Sequence, residues 1–61
     1  MNHNLKLPRF VTVAETAKHT RSTEKTIRRR IAAGELPFYR IGKRILIDEH
    51  DLLALINKGR Q

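Results

Sequence analysis

Two groups of basic side chains are the residues whose types and spacing could do chemistry in this sequence. K-T-I-R-R-R occupies positions 25–30 and G-K-R occupies positions 42–44. Arginine can donate two hydrogen bonds at once to guanine O6 and N7, lysine can donate to the same atoms, and both neutralise phosphates. The chemistry they indicate is recognition of a polyanion rather than the making or breaking of bonds.

The distribution of charge supports that interpretation. The formal net charge of the 61 residues is +7. Residues 21–44 carry eight basic and two acidic side chains, a balance of +6, whereas residues 45–57 carry three acidic side chains and no basic one. A basic segment beside an acidic one is typical of a molecule that presents one positive face to a polyanion. The alternative is a charged surface that only keeps a small domain in solution.

Other classes of site find little support in the sequence. Because there is no cysteine and His3, His19 and His50 share no ligand spacing, neither a disulfide nor a zinc site is expected. Ser22, the only serine, has no evident His/Asp partners, and the glycines form no phosphate-binding loop. We therefore expect no enzyme activity, no cofactor, no metal and no small-molecule substrate. His19 is expected to be partly buried and His50 to face solvent.

No targeting or membrane-spanning segment is recognised. No apolar run approaches the roughly 18 residues of a membrane span, and residues 1–6 lack the apolar stretch of a signal peptide. The protein is therefore expected to remain in the cytoplasm and to have no membrane partner.

Capping residues and apolar spacing predict a helix, a short polar turn, a second helix, a hairpin and a third helix. T-V-A-E at Thr12 is a capping box, which predicts a helix over residues 13–19. After the turn, Thr23 is predicted to cap a second helix over residues 24–33, with Ser22 as the alternative cap. Gly34 ends that helix, because glycine adopts the left-handed conformation of a helix end without a Cβ clash.

From Phe38 onwards the spacing changes to that of strands. Two short strands joined at Gly42-Lys43 predict a hairpin with a type II′ turn, in which glycine comes first. Asp48 then caps a third helix over residues 49–57. The apolar residues of this helix are expected to face the core: Leu52, Leu53, Leu55 and Ile56.

The second helix has a buried and an exposed side. Ile27 and Ile31 lie four residues apart and define the buried side, so Lys25 and Arg29 point the opposite way. Two helices joined by a short turn are the layout of a helix-turn-helix, whose second helix enters the major groove of DNA. The candidate contact residues here are Thr23, Glu24, Lys25, Thr26, Arg28, Arg29 and Arg30. The alternative for the arginine triplet is a solvated helix face.

The hairpin supplies a second candidate contact. A basic hairpin beside a recognition helix is the wing of a winged-helix protein, and its charged side chains can lie along phosphates or enter the minor groove. Its candidate contact residues are Arg40, Lys43 and Arg44. The alternative is an ordinary hairpin whose charges discourage edge pairing. Together these elements predict an α+β fold, a small winged helix-turn-helix.

Four stretches of the chain resemble the excisionase-type DNA-binding domains, small winged helix-turn-helix proteins related to the MerR-like group. They are F-V-T-V-A-E-T-A, T-E-K-T-I-R-R-R-I-A-A-G-E-L-P, Y-R-I-G-K-R-I-L-I-D and D-L-L-A-L-I, and they lie between residues 10 and 56. The resemblance implies that Lys25, Arg28 and Arg29 read DNA and that Lys43 and Arg44 belong to the wing.

The resemblance also implies partners. Stand-alone members are often excisionases of phages or mobile elements, which bind and bend double-stranded DNA near attachment sites and steer an integrase towards excision. Such a protein is expected to act on the bacterial nucleoid and to associate side by side on DNA. We assign residues 10–58 to the DNA-binding domain, with a flexible tail at 1–9 and a short one at 59–61. Two alternatives are a transcriptional regulator of the same fold and an adaptor that binds an acidic protein.

Overall fold

The computed structural model describes residues 7–59 and contains, within them, three helices and three strands. In chain order they are β1 (Phe10–Thr12), α1 (Val13–His19), α2 (Glu24–Ala32), β2 (Tyr39–Ile41), β3 (Arg44–Asp48) and α3 (Glu49–Lys58). This arrangement confirms the predicted small α+β winged helix-turn-helix. Residues 1–6 of the predicted N-terminal tail, His3 among them, and residues 60–61 lie outside the described residues. None of the helices in residues 7–59 has the length and apolarity needed to cross a membrane.

The first helix begins where the sequence predicts. The Glu15 N–H donates to Thr12 Oγ1 and the Thr12 N–H donates to Glu15 Oε1, both at 3.0 Å, so the capping box is confirmed. The Thr12 carbonyl also accepts a hydrogen bond from the buried Thr16 hydroxyl at 2.9 Å. The hydrogen bonds from Thr12, chiefly the one from its backbone, lower the pKa of the Glu15 carboxyl below its ordinary value.

The turn between α1 and α2 is short and polar, as predicted. Arg21 has a φ of +53°, the only positive φ of a non-glycine residue in the described part of the chain. The Thr20 and Ser22 hydroxyls share a hydrogen bond of 2.8 Å. Thr23 Oγ1 then accepts the Thr26 N–H at 3.1 Å, which confirms the predicted N-cap of α2.

Gly34 ends α2 as the sequence predicts. Its φ is +76°, in the left-handed region that glycine enters without a Cβ clash. The Gly34 N–H donates to the Ile31 carbonyl at 3.0 Å and the Glu35 N–H donates to the Arg30 carbonyl at 2.9 Å, which together form a Schellman motif. The helix ends at Ala32, one residue before the predicted end.

The sheet has one strand more than the sequence predicted. The predicted hairpin is present as β2 and β3, and β1 pairs antiparallel with the other edge of β3. Phe10 lies opposite Asp48, and its ring meets Tyr39 edge-on with ring centroids 5.2 Å apart. With three residues, β1 is too short to show an alternating pattern in the sequence. It forms because β3 offers it a partner.

The hairpin turn has the predicted geometry. Ile41 lies opposite Arg44, so Gly42 and Lys43 form a two-residue loop. Gly42 has a φ of +62°, and Lys43 is not among the described residues with positive φ. A positive φ at the first loop position alone is the pattern of a type II′ turn and excludes type I′. The Lys43 side chain is exposed at the tip of the hairpin.

One core joins the helices to one face of the sheet. Its buried members are Val13, Ala17, Ile27, Leu36, Ile47 and Leu52, and the half-buried Val11, Ile31, Ile45 and Leu55 pack against them. Ile27 is completely buried, which confirms the predicted inner side of α2.

Two expectations about burial are wrong. Leu53 and Ile56 do not face the core, since their exposed fractions are 49% and 43%. The side of α3 that packs inward consists of Leu52 and Leu55, and this stripe is too narrow to include the other two. His19 is exposed rather than partly buried, because it lies at the last position of α1, beyond the buried side of that helix. His50 faces solvent, as predicted.

Candidate nucleic-acid interface

The three sides of α2 have different surroundings. Ile27 is completely buried and Ile31 is half-buried, so they anchor the inner side in the core. Lys25 and Arg29 lie one turn apart on the opposite, outer side, and both are exposed. The outer side is where the sequence predicts that a DNA duplex lies.

One flank of α2 faces the hairpin. A groove, called the wing groove below, lies between this flank, the hairpin and the start of α1. Its lining residues are Thr12, Val13, Ala14, Glu24, Arg28, Lys43, Arg44 and Ile45. Four residues predicted to contact DNA, from two elements distant in the sequence, therefore line one surface.

The charges of the wing groove are mostly basic. Arg28, Lys43 and Arg44 contribute positive charge, and Glu24 is the one carboxylate among the lining residues. Arg28 Nη2 donates to Glu24 Oε1 at 3.2 Å. Because these side chains are 61% and 49% exposed, solvent screens the ion pair and it contributes little to stability. A phosphate can therefore compete with Glu24 for the guanidinium group.

The other flank of α2 carries Thr26 and Arg30 and faces α3. These two residues line a second groove, called the α3 groove below, and do not line the wing groove. Arg30 Nη1 lies 3.5 Å from Glu35 Oε1, a long ion pair between half-exposed side chains. Both residues therefore border the outer side of α2 on the side away from the hairpin.

Two further candidates, Thr23 and Arg40, are not among the residues that line the wing groove. Thr23 is exposed, but its hydroxyl already accepts the Thr26 N–H and shares a 3.0 Å hydrogen bond with the Thr26 hydroxyl. Arg40 is exposed on the edge strand β2, directly opposite Ile45. Because side chains alternate along a strand, Arg40 lies on the opposite face of the sheet from Arg44. Neither Thr23 nor Arg40 lines the groove.

The start of α1 belongs to this surface, although the sequence did not predict it as a contact. Thr12, Val13 and Ala14 line the wing groove. The capping box was the available signal, because it marks where a helix presents its first N–H groups. In a helix-turn-helix the first helix crosses the DNA backbone, which agrees with its place in the lining.

Within residues 7–59, no three His, Asp or Glu side chains group as ligands of a metal ion. The Ser22 hydroxyl is engaged with Thr20 at 2.8 Å, and the Ser22 N–H donates to the Ala17 carbonyl at 2.9 Å. The only serine is therefore a structural part of the turn. The wing groove and the outer side of α2 offer hydrogen-bond donors and positive charge.

The comparison with known proteins agrees with this geometry. A family model described as a helix-turn-helix domain matches residues 10–60 of the chain. The match begins with β1 and runs past the end of α3, so it includes α2 and the hairpin. No curated protein and no solved structure matches the chain.

Proposed function

We propose a specific role for this chain, which belongs to the helix-turn-helix domain family and, with that family, binds DNA sequence-specifically. The protein is an architectural factor, an excisionase of a phage or mobile element. It binds and bends attachment-site DNA and thereby directs an integrase towards excision. The family includes excisionase-like proteins and is typically non-enzymatic, which supports a role in arranging DNA for another protein's chemistry.

The observation that carries the proposal is the common surface of α2 and the hairpin. Arg28 of α2 lines one groove together with Lys43 and Arg44 of the hairpin, beside the exposed Lys25 and Arg29. A duplex on this surface receives α2 in its major groove, and the hairpin follows the backbone to the adjacent minor groove. Contacts from two elements hold the duplex at a defined angle, which an architectural factor requires.

We assign a role to each contact by its position on this surface. Lys25, Arg28 and Arg29 donate to base edges, because they lie on the outer side of α2 and on its flank towards the hairpin. Lys43 and Arg44 donate to phosphates or enter the minor groove. The remaining contacts lie around this centre and position the duplex: Thr23, Glu24, Thr26, Arg30 and Arg40. In this proposal the DNA-binding domain comprises residues 10–58.

Bending and specificity require more than one copy on the DNA. A single module of this kind buries roughly 600–1,000 Å² of protein surface on DNA, which is too little for high specificity alone. We therefore propose that copies bind side by side on tandem sites near the attachment site. The bent duplex then presents its arms to the integrase, on the nucleoid in the cytoplasm of a bacterial cell.

Gel shifts test the architectural part of the proposal. The binding site is first selected from a random DNA library, and a duplex with two tandem copies is compared with a duplex that carries one. We expect the second copy to bind more tightly than the first. If the protein bends DNA, complexes with circularly permuted fragments should also differ in gel mobility according to the position of the sites in the fragment. Independent binding to single sites without a bend would contradict the architectural role.

A reconstituted excision reaction tests the recombination part. The components are an integrase encoded next to the gene, a plasmid with the attachment sites, and the protein. We expect excision to depend on the protein, to be lost in Arg29→Ala and to persist in Lys18→Ala, a charge-matched control at an exposed position outside both grooves. If the protein binds DNA but the recombination reaction is the same with and without it, the protein is instead a transcriptional regulator. Tight binding to an acidic protein that DNA does not displace, together with weak affinity for duplex DNA at low salt, would identify an adaptor.

A further inference from the structure

The α3 groove lies on the flank of α2 away from the hairpin, and of the residues proposed to contact DNA only Thr26 and Arg30 line it. It encloses about 570 Å³ between the turn after α1, the Thr26 and Arg30 flank of α2, and the last two turns of α3. The wing groove lies on the opposite flank of α2. A duplex that contacts the hairpin and the outer side of α2 together therefore leaves the α3 groove at its margin.

The floor of the α3 groove is apolar and open to solvent. Ile27, Leu55 and Ile56 line it. Ile27 belongs to the core, Leu55 is half-buried, and Ile56 is 43% exposed. An exposed isoleucine in a concave surface gains from being covered by another apolar side chain. DNA backbone offers no such side chain, so the floor favours a protein.

The rim of the α3 groove is basic. Arg21, Arg30 and Lys58 line it, and no Asp or Glu is among the lining residues. Arg30 is 3.5 Å from the Glu35 carboxylate, and no ion pair within residues 7–59 engages Arg21 or Lys58. Positive charge around an apolar floor is complementary to apolar side chains flanked by carboxylates.

We propose that the α3 groove binds an acidic amphipathic helix of a partner protein. Apolar residues spaced i, i+3 and i+4 on that helix cover Leu55 and Ile56, which is the helix-in-groove mode of recognition. Its carboxylates pair with Arg21, Arg30 and Lys58 on the rim. This surface does not depend on the proposed excisionase role, because a regulator with the same DNA contacts would present the same groove.

The probe is a synthetic fluorescein-labelled peptide of leucine and glutamate, with the leucines at i, i+3, i+4 and i+7. The control peptide has the same composition in an order that destroys the apolar stripe. Fluorescence anisotropy with the full chain measures both affinities. We expect the amphipathic peptide to bind about tenfold more tightly or better, since an apolar anchor supplies much of the energy of a helix in a groove. Equal affinity for the two peptides would overturn the proposal, because charge alone would then explain binding.

A pair of variants on α3 locates the site. Ile56→Glu places a carboxylate in the floor, whereas Leu53→Glu makes the same change in charge at a leucine of similar exposure that does not line the groove. We expect Ile56→Glu to weaken peptide binding about tenfold or more and Leu53→Glu to change it little. Lys58→Ala, which removes a rim charge without touching the floor, should weaken binding several-fold. An equal effect of the two glutamate substitutions would contradict the assigned site.

Amide chemical shifts separate the protein partner from other occupants. The peptide should shift the turn after α1 and the end of α3, and it should leave Lys43 unshifted. Chemical-shift changes centred on the wing groove would mean that the peptide mimics DNA and would overturn the proposal. The proposal would also be overturned if a short duplex displaced the peptide and itself changed the amide shifts of the residues that line the α3 groove. Self-association that Ile56→Glu abolishes, without peptide binding, would assign the groove to a second copy. Gel shifts with Ile56→Glu and Leu53→Glu separate a failure of this proposal from a failure of the proposed function, because the two variants should bind DNA equally well.

Discussion

Glu24 accepts a hydrogen bond from Arg28 at 3.2 Å across one turn of α2, on the flank that lines the wing groove. The carboxylate therefore lies where a duplex is proposed to pass, and it partly neutralises a guanidinium group that is proposed to contact that duplex. A carboxylate in this place repels the phosphates of any DNA sequence and so lowers the affinity for DNA in general. The net loss of affinity is smallest on a sequence where the carboxylate gains a contact of its own, such as a cytosine amino group.

Glu24→Gln is therefore expected to raise the affinity for non-specific DNA, because Arg28 is freed and one repulsion from phosphate is removed. The preference for the selected site over random DNA should fall at the same time. Gel shifts on both duplexes at one salt concentration measure the two effects. Lower affinity for both duplexes would show that Glu24 supports the fold of the contact surface instead.

Arg29→Ala and Lys43→Ala should affect DNA binding in different ways. Arg29 lies on the outer side of α2, and its loss should cost about 1–3 kcal/mol on the selected site and relax the preference at one base pair. Lys43 lies at the tip of the hairpin, and its loss should weaken binding to all sequences alike. Affinities for a panel of single-base variants of the site distinguish the two patterns, with Lys18→Ala as the charge-matched control. A sequence-dependent effect of Lys43→Ala would reverse the assignment.

Binding should depend steeply on salt. If the surface neutralises about five to seven phosphates, the slope of log K against log salt concentration should be about −5 to −6. Lys43→Ala should make the slope less steep by about one unit, because it removes one phosphate contact. Titrations at four or more salt concentrations give the slope. A slope near zero would exclude an electrostatic interface.

Arg21→Gly should stabilise the fold. Arg21 has a φ of +53°, a conformation in which an L side chain is strained and glycine is not. We expect the glycine variant to be more stable than Arg21→Ala by about 1 kcal/mol, or about 4–8 °C in melting temperature for a domain of this size. The alanine variant removes the same charge and keeps the Cβ, so the difference isolates the backbone. Equal stability of the two would show that the turn relaxes around the side chain.

The capping box should make part of the stability dependent on pH. The pKa of Glu15 is lowered in the folded protein, chiefly by the hydrogen bond from the Thr12 N–H. Its contribution is therefore fully present above the ordinary value of 4.5 and is lost as the pH falls through the lower folded value. Glu15→Gln keeps a side chain suited to the box but does not titrate. Urea unfolding at neutral and acidic pH measures the free energy of unfolding of the natural chain and of Glu15→Gln. The excess stability of the natural chain over the variant should shrink as the pH falls. An excess that stays constant would contradict the linkage.

The local elements of this protein are determined by short stretches of sequence. Thr12 and Thr23 start helices through bonds to residues three positions away, and Gly34 and Gly42 adopt positive φ in place. Each of these effects depends on residues within a few positions of one another, so their patterns predict them. The four-residue spacing of Ile27 and Ile31 likewise predicts the inner side of α2 and hence its exposed basic side.

Only the tertiary structure decided how those elements share their surfaces. β1 exists because β3, more than thirty positions later, has a free edge. Leu53 and Ile56 stay exposed because α3 meets the sheet along a stripe narrower than its apolar pattern. The same packing sends Arg28 towards the hairpin and Arg30 towards α3, which separates three adjacent arginines into different surroundings. These outcomes depend on contacts between residues distant in the chain, and no local period encodes such contacts.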